Sequence, residues 1–307
     1  MTSDPQDNGH WPPPIERQAP RPKGLICGRR PHWRRAMALS FAMLNRGLDI
    51  LPPGRWLHRA LQRRLVFSSV KVPLRRPSAA GLNGLRIAFL SDIHAGSYLN
   101  TQDLCRLFAK VAEKRPHLVC LGGDLINTRE REILMYRQAL QLLSPELGIV
   151  AVPGNHDQFW GQDLGLWEAF LREQGVRVLM NDGLRLTFGG SSLWIAGVDD
   201  LTEGRPDLRM ALQGSTREET KVLLSHNPDM FFEAASVGLD LTLSGHTHGG
   251  QVKVFGKVLL SHSHFGWHEG MFDEDGCYLY VGRGVGVTVL PLRIGARAEV
   301  PIIELVT

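Results

Sequence analysis

Five short polar loops along the sequence carry the side chains that could do chemistry. Each loop follows an apolar run, and together the loops supply carboxylates, one carboxamide and imidazoles but no thiolate. Mixed oxygen and imidazole donors suit Mn²⁺, Fe or Zn²⁺ rather than Ca²⁺ or a structural zinc site built from cysteines. The candidates are Asp92 and His94 in the first loop, Asp124 in the second, Asn155, His156 and Asp157 in the third, His226 in the fourth, and His246 and His248 in the fifth.

The spacing inside two of these loops brings neighbouring side chains toward a common point. Asp92 and His94 are two positions apart, as are His246 and His248. In extended chain, side chains two positions apart point the same way, so each pair is predicted to face one site from extended backbone. Glycines stand beside three of the candidates and let the backbone turn tightly toward a bound ion.

The apolar runs predict the strands of an α/β protein, with helices between several of them. The carboxyl ends of parallel strands gather along one rim of a sheet, so loops that are distant in the chain can converge there. The predicted strands are 70–74 at an edge, 85–90, 117–121, 148–152, 176–180, 184–188, 193–198, 221–224, 239–243, 251–260, 277–282 and 297–306, and the predicted helices lie near 104–111, 129–143 and 163–174.

The five loops resemble, in their order and in their residues, the motifs of the calcineurin-like metallophosphoesterase superfamily. This resemblance covers about residues 68–307 and implies an α/β fold, a four-layer α-β-β-α sandwich with mixed sheets, behind a basic N-terminal extension of residues 1–67. The longer strings LLSHNPD, SGHTHGGQV and GRGVG resemble its bacterial YkuE/YaeI-type phosphodiesterase branch. The blocks that carry the resemblance are Asp92-Ile93-His94, Gly123-Asp124, Gly154-Asn155-His156-Asp157, Ser225-His226 and Gly245-His246-Thr247-His248.

The resemblance also implies a role for each candidate side chain. Two divalent metal ions would activate a water whose hydroxide attacks phosphorus, and we expect Mn²⁺, with Fe or Zn²⁺ as alternatives. His156 would be the general acid for the leaving oxygen, and Asp157 would orient His156. The implied ligands are Asp92, His94, Asp124 and His248 for the first metal, and Asp124, Asn155, His226 and His246 for the second.

Three further features each have two interpretations. Arg283, in a glycine-rich turn, could bind a substrate phosphate, or the turn could only close the edge of the site. Phe159, Trp160 and Trp167 could pack over the site or could recognise an apolar substrate group. A histidine cluster could bind metal, although a solvated loop is the preferred interpretation. Its members are His262, His264 and His268, beside Trp267.

Charge is divided unevenly along the chain. Residues 1–80 hold 15 Lys and Arg against 4 Asp and Glu, whereas residues 81–307 hold 20 against 27. A nuclease of the same superfamily is an alternative. Nucleic-acid enzymes usually present a basic face near the site, so the acidic body disfavours a nuclease and a nucleic-acid partner. The basic arm predicts an anionic partner. Its amphipathic segment, 55–66, could bind an anionic membrane surface or pack on the body.

The expected activity is that of a phosphodiesterase or pyrophosphatase acting on a small-molecule or lipid-linked phosphoester. A lipid A enzyme of the UDP-2,3-diacylglucosamine pyrophosphatase type is one alternative, and a non-enzymatic metal-dependent scaffold is another. The complete ligand set and His156 argue against the scaffold. We expect a cytoplasmic protein, with peripheral binding to the inner face of the membrane, because no run of about 18 apolar residues is present and Arg46 interrupts the only signal-like stretch.

Overall fold

The computed structural model describes residues 65–96, 98–158, 163–254, 257–258, 263–288 and 292–307. Residues 1–64, which include most of the predicted amphipathic segment 55–66, lie outside the described residues, as do Phe159, Trp160 and His262. The first strand begins at Val66, just before the predicted start of the catalytic body at residue 68. Among the described residues, no helix has both the length and the apolar character that crossing a membrane requires.

Twelve of the fourteen described strands form two six-stranded sheets, and the other two form a separate two-stranded ribbon. The strands are Val66–Pro73 (β1), Arg86–Leu90 (β2), Leu118–Gly122 (β3), Ile149–Val152 (β4), Val176–Val178 (β5), Asp182–Phe188 (β6), Ser191–Gly197 (β7), Thr220–Leu224 (β8), Leu241–Ser244 (β9), Lys253–Val254 (β10), Lys257–Val258 (β11), Gly270–Glu274 (β12), Cys277–Val281 (β13) and Glu299–Val306 (β14).

Each sheet contains four neighbouring parallel strands. Sheet 1 has the order β1-β14-β2-β3-β4-β5, in which β2 to β5 are parallel and β14 is antiparallel to β2. Sheet 2 has the order β12-β13-β9-β8-β7-β6, in which β13, β9, β8 and β7 are parallel and the two edge strands are antiparallel. Loops that follow parallel strands leave from the same edge of their sheet, so each sheet can deliver several loops to one place.

Buried side chains arrange the sheets and helices in four layers. One apolar cluster packs Leu104, Phe108 and Trp167 of the helices against sheet 1, and a second fills the space between the two sheets with residues such as Phe89 and Leu224. A third cluster packs the remaining helices on the outer face of sheet 2. This layering confirms the predicted α-β-β-α sandwich with mixed sheets. The α-helices are Thr101–Glu113 (α1), Arg137–Leu140 (α2), Gly165–Glu173 (α3), Leu208–Ala211 (α4) and Phe231–Ser236 (α5).

Helix α1 shows how the local sequence sets an element boundary. The Asn100 side chain accepts a hydrogen bond from the Asp103 backbone N–H, and the Asp103 carboxylate accepts from the Asn100 N–H. This capping box satisfies two N–H groups that a helix start otherwise leaves unpaired. The buried face of α1 is the one that the apolar spacing predicts, with Leu104, Leu107, Phe108 and Val111.

Two predicted elements differ from the structure. The helix expected over 129–143 is a 3₁₀ helix, Glu130–Tyr136, followed by the short α2. Glu132 accepts hydrogen bonds from the N–H groups of the three residues just before the 3₁₀ helix, so its side chain fixes the loop that leads into it. The strand expected over 251–260 is the antiparallel ribbon of β10 and β11, which belongs to neither large sheet. Strand β12, which pairs with β13, is an additional edge strand that the sequence patterns did not reveal.

Candidate metal centre

The predicted ligand loops meet at one end of the sandwich. Three of them follow β2, β3 and β4 of sheet 1, and two follow β8 and β9 of sheet 2. The two sets touch directly: Nε2 of His226 lies 3.2 Å from Oδ2 of Asp124, and Nε2 of His248 lies 3.3 Å from Oδ1 of Asp92. The backbone N–H of His246 also donates to the Asp92 carboxylate at 3.0 Å. Residues separated by more than 150 positions therefore share one buried site.

The backbone at the ligands is left-handed rather than extended, which corrects the predicted geometry of the two pairs. Non-glycine residues seldom adopt positive φ, and they hold it only where the surroundings fix it. Here Asp92 donates its N–H to the Gly123 carbonyl and His94 donates to the Asp124 carbonyl, both at 3.0 Å. These bonds turn the chain sharply at the end of β2. The residues with positive φ are Asp92 (52°), His94 (49°), Asp124 (53°), His246 (70°) and His248 (52°).

Three side chains form one cluster of donor atoms. Asp92, His94 and His248 each place a ligand atom within 4.8 Å of the others, and all three are buried. The two imidazoles face each other through Nε2 atoms 3.1 Å apart. Oδ2 of Asp124 lies 3.6 Å from Nε2 of His94, at the edge of the same cluster. The structure thus brings together the four side chains that the resemblance implies for the first metal.

A second cluster shares Asp124 with the first. Its carboxylate faces Nε2 of His226, and Nδ1 of His246 lies 3.3 Å from that nitrogen. Asn155 follows β4 in the same region, and its buried Oδ1 has no hydrogen-bond partner among the described residues. A buried amide oxygen without a partner is costly unless a ligand satisfies it. The orphaned oxygen therefore fits a cation beside Asp124, His226 and His246.

Burial and charge prepare these side chains for cations. Burial, together with the neighbouring Asp124 charge, raises the pKa of Asp92 to about 6. Burial, followed by the influence of His156, lowers the pKa of His94 to about 3, so that its imidazole is neutral near neutral pH. Metal ligation requires neutral imidazole and ionised carboxylate. Although burial opposes it, the charges of Asp124 and Asp92 raise the pKa of His226 well above its usual value, so a divalent cation bound here would replace a proton on that ring.

A backbone carbonyl fixes the orientation of the His226 ring. Its Nδ1 lies 2.8 Å from the Gly122 carbonyl oxygen, which can only accept, so Nδ1 carries the hydrogen. That bond leaves Nε2 directed at Asp124 and His246. Fixing one ring nitrogen by a backbone carbonyl so that the other can ligate is a recurrent arrangement at metal sites.

His156 lies against the first cluster. Its ring packs edge-on to the His94 ring, with centroids 4.6 Å apart, and its backbone N–H donates to Oδ1 of Asp124 at 2.7 Å. Nδ1 of His156 lies 2.9 Å from the Asn127 carbonyl oxygen and therefore donates to it. The hydrogen bond on Nδ1 aims the opposite nitrogen, Nε2, away from Asn127.

Asp157 acts on the backbone rather than directly on the His156 ring. Its buried carboxylate accepts N–H bonds from Asp124 and Gly154 on Oδ2, at 2.8 and 2.9 Å. Oδ1 accepts from Leu125 and Ile126 at 3.0 and 3.2 Å. These four bonds join the loop after β3 to the loop after β4. The hydrogen bond that orients the His156 ring is the one to the Asn127 carbonyl, so the role of Asp157 in orienting His156 stays a prediction.

Two arginines flank the site, and only one of them was predicted. Arg283, the candidate phosphate-binding residue, pairs with the buried Glu299 carboxylate at 3.1 Å. Arg293 had no sequence signal because it stands outside every motif. Its buried guanidinium donates to the Gly286 carbonyl at 2.8 Å, and its Nη2 lies 3.2 Å from Nδ1 of His248. Burial, followed by the charges of His94 and Arg293, keeps the pKa of His248 well below its usual value.

The remaining candidates lie in the packing rather than at the site. Trp167 is fully buried in the cluster between the helices and sheet 1, so it packs in the core rather than over the site. Trp267 is buried against Phe231, whereas His264 is exposed on the loop before it. None of the potential metal clusters in the described residues includes His264 or His268.

Comparisons with known proteins agree with this geometry. The profile of the calcineurin-like phosphoesterase family matches residues 85–250, a segment that contains all seven proposed ligands. Metallophosphoesterase YkuE of Bacillus subtilis is 31% identical over 232 residues, covering 73% of this chain and 80% of that protein. Protein YpbG of the same organism is 34% identical over 226 residues, covering 72% and 81%.

A vertebrate relative is longer. A Danio rerio protein named transmembrane protein with metallophosphoesterase domain is 31% identical over 245 residues, which are 75% of this chain and 55% of that protein. The chain thus spans about half the length of this relative. The family profile covers more than half of the chain and includes each loop at which the donor atoms converge. The chain therefore belongs to the calcineurin-like phosphoesterase family and is a metallophosphoesterase, a hydrolase of phosphoester bonds.

Proposed function

We propose that this hydrolase uses two divalent cations, Mn²⁺ foremost, to cleave phosphodiesters or pyrophosphates. The proposal rests on two groups of donor atoms that share Asp124, one on the side of His94 and one on the side of His226. One cluster would hold a cation through Asp92, His94 and His248, and the other through Asn155, His226 and His246. Because its Oδ2 lies 3.6 Å from His94 and 3.2 Å from His226, Asp124 is the residue that both cations would share.

The chain's own residues divide the rest of the chemistry. When bound, the two cations would activate a water nucleophile and stabilise charge on the phosphoryl oxygens. His156, with Nδ1 committed to Asn127, would donate a proton from Nε2 to the leaving oxygen, an effect typically worth roughly 10²–10⁴-fold. Asp157 would keep the two loops in register by its four backbone bonds. Arg283 would bind a substrate phosphate only by sharing its guanidinium with Glu299.

The test compares the wild-type chain with Asp124→Ala on a panel of a phosphomonoester, a phosphodiester and a nucleotide-lipid pyrophosphate. Each substrate is assayed with Mn²⁺, Zn²⁺ or Mg²⁺. We expect the diester or pyrophosphate to be hydrolysed fastest with Mn²⁺, and Asp124→Ala to fall to background. Asp163→Ala, on the exposed turn before α3, is the matched control and should keep wild-type activity. Full activity in Asp124→Ala, or a clear monoester preference, would refute the proposal.

The basic N-terminal arm supports a lipid-linked substrate and a peripheral position on the cytoplasmic face of the membrane. An excess of Lys and Arg over residues 1–80 favours anionic surfaces, whereas the acidic body does not favour nucleic acid. In the assay with the nucleotide-lipid pyrophosphate, the substrate is therefore presented either in anionic or in neutral vesicles. We expect faster hydrolysis and co-sedimentation of the full chain with the anionic vesicles. Equal behaviour with both vesicle types would reject the membrane-bound substrate.

A further inference from the structure

The 3₁₀ helix Glu130–Tyr136 holds the loop that carries Asp124 at two points. Near the start of the loop, the buried Tyr136 hydroxyl donates to the Leu125 carbonyl at 2.6 Å. Near its end, Oε2 of Glu132 accepts three consecutive N–H groups, from Asn127, Thr128 and Arg129, at 3.0, 2.8 and 3.0 Å. One carboxylate oxygen of Glu132 thus holds the turn 127–129, which follows the loop that carries Asp124.

Glu132 reaches His156 through a single peptide group. The carbonyl of Asn127 and the N–H of Thr128 belong to the same planar unit and point in opposite directions. The N–H of that unit donates to Glu132, while the carbonyl accepts the Nδ1 hydrogen of His156 at 2.9 Å. The Glu132 carboxylate, bound at one edge of the peptide plane, therefore aims the Asn127 carbonyl at the opposite edge toward His156. Chains of hydrogen bonds also polarise one another, which strengthens the bond to the imidazole.

The carboxylate is seated against glycine on the neighbouring loop. Gly96 follows His94 and has a φ of 138°, a conformation that favours glycine. A Cβ on Gly96 would overlap the Glu132 carboxylate, so the absence of a side chain there provides the space that Glu132 occupies. Backbone from the β2 and β3 loops thus surrounds the carboxylate.

We infer that Glu132 is a positioning residue for His156. It acts through the Asn127–Thr128 peptide to hold the Nδ1–H of His156, so that the Nε2–H, the proton to be donated, points away from Asn127. This inference rests on the proposed function, in which Nε2 of His156 protonates the leaving oxygen. It extends that function by adding a carboxylate outside every ligand motif to the proton-donating apparatus.

The experiment measures kcat with Mn²⁺ for methyl aryl phosphodiesters whose leaving groups run from 4-nitrophenol to phenol. A good leaving group needs little protonation, whereas a poor one depends on the general acid. For Glu132→Ala we expect kcat to fall about 10- to 100-fold with phenol and to change less than about 3-fold with 4-nitrophenol. Glu132→Gln, which keeps an acceptor oxygen but loses the charge, should lie between wild type and Glu132→Ala.

Two comparisons separate positioning from general support of the fold. Glu130→Ala is the matched control, because Glu130 lies in the same 3₁₀ helix but accepts a backbone N–H from Leu166 on α3. It should leave the dependence on the leaving group unchanged. His156→Ala should show the same selective loss as Glu132→Ala, and the double variant should be no worse than His156→Ala, since both act on one proton transfer.

The results separate a failure of the Glu132 role from a failure of the proposed acid role of His156. If His156→Ala shows the selective loss but neither Glu132 variant does, the inference is overturned and the acid role of His156 stands. If His156→Ala shows no selectivity, that acid role itself fails. An equal loss on all substrates in both Glu132 variants, with bound Mn²⁺ reduced, would make Glu132 a structural residue only.

Discussion

At the scale of single residues, the site is built on backbone that most side chains avoid. Five of the seven proposed ligands have positive φ, each at a cost on the order of 1–3 kcal/mol. Hydrogen bonds from neighbouring loops hold them there, such as the bond from His94 N–H to the Asp124 carbonyl. The donor atoms are therefore in position before any cation binds. An added side-chain atom in these loops should displace them and weaken metal binding.

Gly154 offers a direct test of that placement. A Cβ at this position would overlap both Oδ1 and the backbone nitrogen of Asp124, and the backbone nitrogen cannot move aside as a flexible side chain could. We therefore expect Gly154→Ala to lose most bound Mn²⁺ and most hydrolytic activity while remaining folded. Elemental analysis measures the bound Mn²⁺, an activity assay measures hydrolysis, and circular dichroism of the same preparation checks that the variant is folded.

Gly165→Ala is the matched control for the Gly154 variant. A Cβ on Gly165 would meet its nearest neighbour, Asp163, at 3.4 Å, an ordinary contact, at the start of α3. That variant should keep its metal and activity. Wild-type Mn²⁺ content in Gly154→Ala would show that the loops adapt, contrary to the pre-placed geometry.

Side-chain types were predictable at this scale, and backbone groups were not. Asp92, His94, Asp124 and the other candidates stand out because carboxylates and imidazoles recur at the ends of apolar runs. The acceptor that orients His156 is a backbone carbonyl, which every residue possesses, so no sequence pattern marks Asn127 for that role. The isolated Arg293 was missed for a similar reason.

At the scale of elements, burial decides what the sequence reveals. Strands buried on both faces, such as β3 and β8, are continuous apolar runs, and their positions were predicted closely. The edge strand β12 has the sequence GMFDE and an alternating half-exposed pattern, which is too short to separate from a loop. The 3₁₀ helix Glu130–Tyr136 depends on hydrogen bonds to a preceding loop, which an apolar period does not report.

Glu219 ties three elements of sheet 2 together. Its buried carboxylate accepts hydrogen bonds from Arg185 on β6, from Ser192 on β7 at 2.5 Å and from the Thr216 N–H at 2.7 Å. Burial alone would raise the pKa of Glu219, but these hydrogen bonds and the Arg185 charge outweigh it and lower the pKa to about 2. The ionised carboxylate is therefore stabilised in the folded state.

This shift predicts a pH-dependent contribution to stability. Because the folded pKa of Glu219 lies below its ordinary value of 4.5, its contribution is full above about pH 4.5 and is lost as the pH falls toward 2. We expect Glu219→Gln to lower the free energy of unfolding at pH 7 by about 1–3 kcal/mol, with the difference shrinking below pH 4.5. Urea unfolding of both proteins from pH 7 to pH 3 measures it.

A surface glutamate provides the control for Glu219. Glu168 pairs with Arg172 one helical turn away on α3, with both side chains partly exposed to solvent. Glu168→Gln should change stability little at any pH, because exposed ion pairs contribute little. A difference for Glu219→Gln that stays constant down to pH 3 would contradict the linkage to its ionisation.

At the scale of the whole molecule, two sheets must meet before the site exists. Sheet 1 contributes Asp92, Asp124 and Asn155, and sheet 2 contributes His226 and His246, so neither sheet alone completes either donor cluster. The sequence predicted a common rim from the position of each loop after its strand. The way in which the two rims face each other depends on packing between the sheets, which local patterns do not encode.

We propose that one folded chain holds two divalent cations through Asp124 and the six residues around it. The most direct measurement is the Mn²⁺ content of the full-length chain, loaded with Mn²⁺, desalted and analysed by inductively coupled plasma mass spectrometry alongside Asp124→Ala. We predict two Mn²⁺ per wild-type chain and fewer than one in Asp124→Ala, because that variant removes the shared ligand. A wild-type chain that retains no more than one Mn²⁺, or an Asp124→Ala chain that retains two, would contradict the claim.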